Sequence, residues 1–351
     1  MNEDLETEIL LRLPLKSLMR FKCVQTSWNN LIKTPYFVNR KSNLSISQNR
    51  SLLIIEGSKL KLLPCDDTYN QKPILVNSLF PNHLVGIESY GSCNGVFCLK
   101  GHDQLIMWNP TTNEVHHIPR APSRKNHFSY GFGAVGGDFK VIRLTSYIKG
   151  MSTLLCPFAE VYSLNTKSWT IIGCPRVDVT QHRPTRYIFA LRHPSARYNA
   201  LVNGVYYWIT GSDLDIFPCA NILCFDFSND EFRQFKSPTS CVPHTTYCHD
   251  FIEVKGSLGY VLQSNSSYNV WFEIWVMDQN EWSKKYEIQT SMCNLRRFGV
   301  DAAEIFGGKA GELLKSYDHH GKKLRQFQIE IPETDYFKIY EYVPSITLLS
   351  K

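Results

Sequence analysis

The sharpest grouping of metal-capable side chains is "CVPHTTYCHD", which sets Cys241, His244, Cys248 and His249 within nine positions. Zinc takes four thiolate or imidazole ligands in a tetrahedron, and these residue types qualify. The spacing argues against a site. Cys248 and His249 are adjacent, so on a strand they point to opposite faces, and no second pair of matching spacing follows. Two imidazole pairs, His116-His117 and His319-His320, fall beside and inside polar turns, where strand alternation or solvation accounts for them. "GFGAVG", Gly131 to Gly136, has the letters of a dinucleotide fingerprint, but that site needs a helix to receive the pyrophosphate, and the following "DFKVIRL" reads as a strand. No G-x-S-x-G, Walker loop or H-E-x-x-H occurs. Many of the acidic residues fall in turns, where Asp has a backbone role. The expectation is a chain with no catalytic residues, no metal and no cofactor, hence not an enzyme.

Charge points to a different kind of chemistry. The chain is +6 overall, yet residues 1 to 50 alone hold eight Lys and Arg against four Asp and Glu. Arg12, Lys16, Arg20 and Lys22 cluster there. Pro14 divides them between two helices and no aromatic residues interleave, so an acidic protein partner is expected rather than nucleic acid. No apolar run reaches the ~18 residues of a membrane span, and the opening "MNEDLETE" is acidic where a signal peptide is basic. No membrane contact is expected, and the location is the cytoplasm or nucleus. Eleven cysteines, an odd count without a regular framework, read as reduced thiols. The sequons at Asn43, Asn49 and Asn265 are then chance matches.

Three helical stretches are predicted to carry the basic cluster. In the first, Leu5, Ile9 and Leu13 recur every four residues behind Glu3, Asp4 and Glu6, which suit the positive end of the helix dipole. Pro14 ends it. Leu15, Leu18, Phe21 and Val24 form a second stripe. A third starts with Thr26 or Ser27 as cap, continues through Trp28, Leu31 and Ile32, and stops at Thr34-Pro35. Three helices of this size cannot bury so many large side chains among themselves. Either a partner helix covers them or the β part of the same chain does.

The order of residues goes further than periodicity. Asp4-Leu5, Glu8-Ile9-Leu10, Arg12-Leu13-Pro14, Lys16-Ser17-Leu18, Arg20-Phe21, Cys23-Val24, Ser27-Trp28, Leu31-Ile32 and Pro35 with Phe37 together resemble the F-box. That module docks substrate receptors onto the Skp-type adaptor, and through it a cullin, in ubiquitin ligases. The resemblance implies that Leu10, Pro14, Leu15, Leu18, Val24 and Trp28 form the docking surface or support it. Met1-Asn2 stand where the family commonly begins with Leu-Pro.

Past residue 45 the pattern becomes short strands and turns. Trp108, Tyr162, Phe225, Trp275 and Tyr317 are each followed, seven positions later, by Val115, Trp169, Phe232, Trp282 and Leu324, with a polar turn such as "NPTTNE" or "DFSNDE" between. Each unit reads as a hairpin. Gly-containing strands precede four of them: "SCNGVFCL", "GGDFKVIRL", "LVNGVYYWI" and "KGSLGYVL". The drifting period suits propeller blades with variable loops, about six or seven in the space available. The strand Leu52 to Ile55 and "PSITLL" at 344 to 349 are expected to close one blade together. Two packed sheets in a β-sandwich are the alternative.

These repeats resemble degenerate kelch repeats, and "GSCNGVFCLKGHDQLIMWNPTTNEVHHIP", Gly91 to Pro119, is similar to the F-box-associated domain of plant F-box proteins, the group that includes the S-locus F-box proteins of pollen. The combined expectation is an α+β multidomain chain. A small three-helix F-box spans 1–45, and an all-β, kelch-like β-propeller domain spans 46–351. The implied role is substrate recognition in a Skp-cullin-F-box ubiquitin ligase, with a scaffold outside such a ligase, or an enzyme with an unrecognised site, as alternatives. The partner on the β side is a protein, an S-RNase if the chain is an S-locus member. The longest irregular stretches, Cys174 to Ala196, Ile209 to Asn221 and Ala121 to Ser129, are the candidate substrate loops. The first is basic, with Arg176, Arg183, Arg186 and Arg192 and with Arg197 just beyond.

Overall fold

A computed structural model describes residues 3–45, 51–64, 73–76, 79, 87–101, 104–123, 127–149, 152–175, 199–210, 221–238, 246–265, 270–290, 296–300, 305–308, 311–318, 322–332 and 337–349. Among the described residues the front segment holds four helices, one more than expected: α1 (Glu3–Arg12), α2 (Leu15–Phe21), α3 (Thr26–Lys33) and α4 (Pro35–Ser45). Proline blocks a helix interior but suits the first helical position, where an amide would lack an intrahelical partner anyway. Pro35 therefore ends α3 and begins α4. Thr34 caps the new helix: its Oγ1 accepts from the Phe37 amide at 3.2 Å and donates to Leu31 O at 2.7 Å. The start of α3 also differs from expectation. Gln25 takes the capping position in extended geometry without a side-chain bond, and Thr26 is already helical.

Among the described residues the strands form six sheets of four. The first contains β1 (Ser51–Glu56), β2 (Lys59–Pro64) and β3 (Ile74–Leu75). The second is β4 (Glu88–Cys93), β5 (Val96–Lys100), β6 (Leu105–Asn109) and β7 (Glu114–Ile118). Then come β8 (His127–Val135), β9 (Asp138–Lys149), β10 (Ser152–Ser163) and β11 (Ser168–Gly173), followed by β12 (Asn199–Val202), β13 (Val205–Thr210), β14 (Asn221–Asp226) and β15 (Glu231–Lys236). The fifth holds β16 (Thr246–Val254), β17 (Ser257–Asn265), β18 (Val270–Asp278) and β19 (Glu281–Thr290). The sixth holds β20 (Arg296–Val300), β21 (Ile305–Gly308), β22 (Leu313–Tyr317) and β23 (Lys323–Glu330). Finally β24 (Phe337–Tyr342) joins β1, giving the order β24-β1-β2-β3. Six separate four-stranded sheets are propeller blades in number and strand order, and they replace the sandwich alternative.

The strand that completes the first sheet is thus Phe337–Tyr342 and not "PSITLL". Pro344 has no amide to give a ladder, and residues 343–349 form no strand.

Turn chemistry sets the registers. The glycines of "CNGV", "VGGD", "VNGV" and "VKGS" sit in two-residue turns between first and second strands, not within strands. Both residues of each turn have positive φ, for example Asn203 at 50° and Gly204 at 78°. The aromatic pairs meet across four-residue turns in three cases: Trp108 faces Val115, Tyr162 faces Trp169 and Phe225 faces Phe232. In the fifth sheet the turn is only Gln279-Asn280, so Trp282 faces Met277 while Trp275 faces Lys284. In the sixth, Tyr317 faces Lys323 instead of Leu324.

The chain divides into two compact units, Met1–Pro119 with Lys338–Lys351, and Arg120–Phe337. In the first, the core between the two sheets is built from Leu53, Ile55, Phe97, Ile106, Trp108 and Tyr342. In the second, Tyr206, Trp208, Phe225 and Phe227 pack on Ile142, Leu144 and Val161. Gly131 to Val135 of the "GFGAVG" motif lie in this contact on strand β8, where a Cβ on Gly131 would fall 2.7 Å from Trp208 and one on Gly133 2.4 Å from Phe227. These two glycines serve inter-sheet packing, not phosphate binding.

Candidate protein-interaction site

The helices of the front segment pack around a small core. Leu10, Leu11, Leu18, Ile32 and Phe37 are buried together, with Leu13, Leu15, Met19, Phe21, Trp28 and Leu31 partly covered around them. Polar contacts fix the helices to one another. Trp28 Nε1 donates to Glu6 Oε2 at 3.1 Å, linking α3 to α1, and the Trp28 ring lies 5.5 Å from Phe21. Lys41 of α4 is buried and donates to Leu11 O at 2.8 Å and Leu13 O at 2.7 Å. It thereby places a cation on carbonyls at and just past the end of α1, the negative end of the helix dipole. Burial pushes the Lys41 ammonium below the usual lysine range. The exposed Arg40–Glu8 pair at 2.5 Å adds little, because water screens it. Pro14, which the sequence reading uses as a stop, also starts α2: its carbonyl accepts from Ser17 N and Leu18 N, both at 3.0 Å.

The six residues named for docking separate by burial. Leu10 and Leu18 are core residues, 2% and 0% exposed. Leu15 and Trp28 are partly buried, and Pro14 is exposed. Val24 is 66% exposed. Sequence reasoning missed that Leu5 and Ile9 of α1, and Tyr36 and Leu44 of α4, stand among the exposed large hydrophobics. The signal was present, since α1 carries two apolar stripes, Leu5/Ile9 and Leu10/Leu11, and only one of them can line the core. Of the basic cluster, Arg12 and Arg20 are exposed, while the Lys16 side chain lies outside the described residues. Lys22 is drawn inward: burial pushes its ammonium down, and the Glu114 carboxylate partly restores it.

Among the described residues the other candidate groups are not brought together. Cys241, His244 and the His319-His320 pair lie outside the described residues, while Cys248 and His249 are consecutive positions of β16. Among the described residues no group of three or more His, Cys, Asp or Glu is placed to hold a metal ion. His116 and His117 are consecutive on β7, opposite Met107 and Ile106. Most of the three candidate substrate loops, 124–126, 176–198 and 211–220, is likewise outside the described residues. No described helix is long and apolar enough to cross a membrane.

Comparison with known proteins agrees with this arrangement. Residues 60–338 match the family described as the F-box associated beta propeller domain. An F-box/kelch-repeat protein of Arabidopsis thaliana is 26% identical over 308 residues, covering 81% of this chain and 78% of the relative. An F-box protein of the same plant is 22% identical over 387 aligned positions, covering 100% of this chain and 96% of its own length. A third F-box relative from that species is 28% identical over 309 residues, and the chain spans 63% of its length. With a helical front segment, six four-stranded sheets and a family match over most of its length, the chain belongs to the plant F-box proteins that carry an F-box-associated β-propeller domain.

Proposed function

We propose that this protein is the substrate-recognition subunit of a Skp-cullin-F-box ubiquitin ligase. The observation that carries this reading is the front segment of an F-box family chain, in which Leu10 and Leu18 lie in the buried core while Leu5, Ile9 and Val24 remain exposed. Solvated large side chains on short helices suit helix-in-groove docking on a second protein. Pro14, Leu15, Val24 and Trp28 supply contacts to the Skp-type adaptor, Leu10 and Leu18 hold the helices in register, and Arg12 and Arg20 steer an acidic surface toward them.

The β domain presents its loops to a protein substrate. Ubiquitin transfer takes place on a separate enzyme that the cullin brings in, and this chain contributes proximity, which raises the effective concentration of substrate lysines. Such a subunit works in the reducing cytosol or nucleus, in keeping with the free thiols of Cys23, Cys98 and Cys224. Co-expression of the tagged full chain with a Skp-type adaptor and a cullin tests the reading. Both proteins are expected in the eluate, and a folded chain that retains neither contradicts it.

A further inference from the structure

Ile346 is a core residue of the helical segment, although it lies some three hundred residues away in sequence. It is 1% exposed and packs among Leu10, Leu11, Leu18, Ile32 and Phe37. The stretch that carries it, 343–349, has no strand partner to hold its backbone. The second sheet holds it with side chains instead. Asn109, at the end of β6, donates through Nδ2 to Ser345 O at 2.9 Å and to Thr347 O at 2.7 Å. Its Oδ1 accepts from the Thr111 amide at 2.8 Å, which orients the amide group so that both donors face 343–349. Beyond it, Leu349 N donates to Glu114 Oε2 at 2.7 Å at the start of β7.

Two further features belong to the same contact. Gly95, in the β4–β5 turn at φ +77°, approaches so closely that a Cβ would lie 2.5 Å from Ser345 Cβ. Only glycine admits both that backbone conformation and that distance. Glu114 also attracts Lys22, the capping residue at the end of α2, so one carboxylate faces both 343–349 and the helices.

We propose that residues 343–349 act as a strap that clamps α1–α4 onto the β4–β7 sheet, with Ile346 as the plug in the helical core and Asn109 as the latch. The helical segment is then not a self-sufficient module. Its core is completed by a residue that the β domain positions, and its orientation on that sheet is fixed. If the helices dock an adaptor, as the reading above has it, this mounting sets the direction in which the β4–β7 sheet points from the adaptor.

Hydrogen exchange on the full chain without any partner tests the strap independently of adaptor binding. Asn109→Asp keeps the acceptor for Thr111 N but removes both donors to the strap and sets a carboxylate against the Ser345 and Thr347 carbonyls. The expected result is exchange in α2, α3 and α4 at least about tenfold faster, the loss of one buried and one part-buried hydrogen bond, with β16–β19 unchanged. Ile346→Ala, which leaves every latch bond in place, is expected to give the same pattern. Helix exchange at the wild-type rate in both variants overturns the proposal. So does an equal rise in the helices and in β16–β19, which would mean that these contacts support the whole chain and couple nothing in particular.

Discussion

Trp28 of α3 donates its indole N–H to the Glu6 carboxylate of α1 at 3.1 Å while its ring rests 5.5 Å from Phe21. The same side chain therefore ties two helices together and remains partly exposed. Trp28→Phe keeps a ring beside Phe21 and loses the hydrogen bond. The expected cost to the helical segment is about 1–2 kcal/mol, the lower range for a bond to a charged acceptor that is only partly buried. Amide exchange in α1 and α3 should accelerate accordingly, with a smaller change in Glu6→Gln, which retains an acceptor. Equal rates in Trp28→Phe and the wild type would remove this bond from the account.

Gly133→Ala tests the inter-sheet role of the "GFGAVG" stretch. A Cβ there would lie 2.4 Å from the Phe227 ring, and Phe227 is fully buried against its neighbours. Overpacking of this kind costs about 1–3 kcal/mol. The urea midpoint should fall by that amount divided by the slope of the transition. An unchanged midpoint would mean the ring has room to move.

Arg143 of β9 and Glu160 of β10 form a buried ion pair that also grips one residue of the incoming chain. Glu160 Oε1 accepts from Ser123 N at 3.0 Å, and Arg143 Nη1 donates to Ser123 O at 3.0 Å. Removing one charge leaves the other buried, so Glu160→Ala is expected to destabilise by about 3–5 kcal/mol. The double variant Arg143→Met with Glu160→Leu should recover most of that loss, because a packed apolar pair carries no desolvation penalty. Denaturant titration of the single and double variants decides it, and a double variant as unstable as the single one would contradict the assignment.

Alkaline pH should weaken the fold. Burial pushes the Cys98 thiol well above its ordinary range, raises that of Cys224 in the same direction, and pushes the Tyr207 hydroxyl up to about 12. In the unfolded chain these groups ionise near their ordinary values, about 8.5 for Cys and about 10 for Tyr. Above about pH 8.5 the unfolded state has released protons that the folded state still holds, so stability is complete below that pH and falls as pH rises. The urea midpoint should drop between about pH 7.5 and about pH 9.5, and Cys98→Ala should flatten the drop. A midpoint independent of pH over that window would rule this linkage out.

The β part was legible because each signal is local. An Asn-Gly pair, as at 94–95 and 203–204, demands positive φ at both residues, and the result is a two-residue hairpin wherever the pair occurs. The aromatic spacing of seven worked where the turn has four residues. It failed at Trp275, because the Gln279-Asn280 turn is two residues shorter and the spacing alone does not reveal turn length. The helical front was less legible. A proline is both a stop and a start, so α4 was hidden behind Pro35. Two apolar stripes on α1 left Leu5 and Ile9 indistinguishable from Leu10 and Leu11 until the other helices chose a face. The core role of Ile346 depends on a contact between residues more than three hundred positions apart, which no local pattern carries.

The claim on which most depends is that the helical front docks a Skp-type adaptor. Calorimetric titration of the full chain with that adaptor tests it, using Pro14→Ala with Val24→Asp because both positions are exposed and Leu18 is not. The account predicts a one-to-one complex, weakened about 100-fold or more in the variant as interface anchors are lost, with exchange protection of β16–β19 unaltered. No complex with the wild-type chain, or equal affinity for the variant, would contradict it.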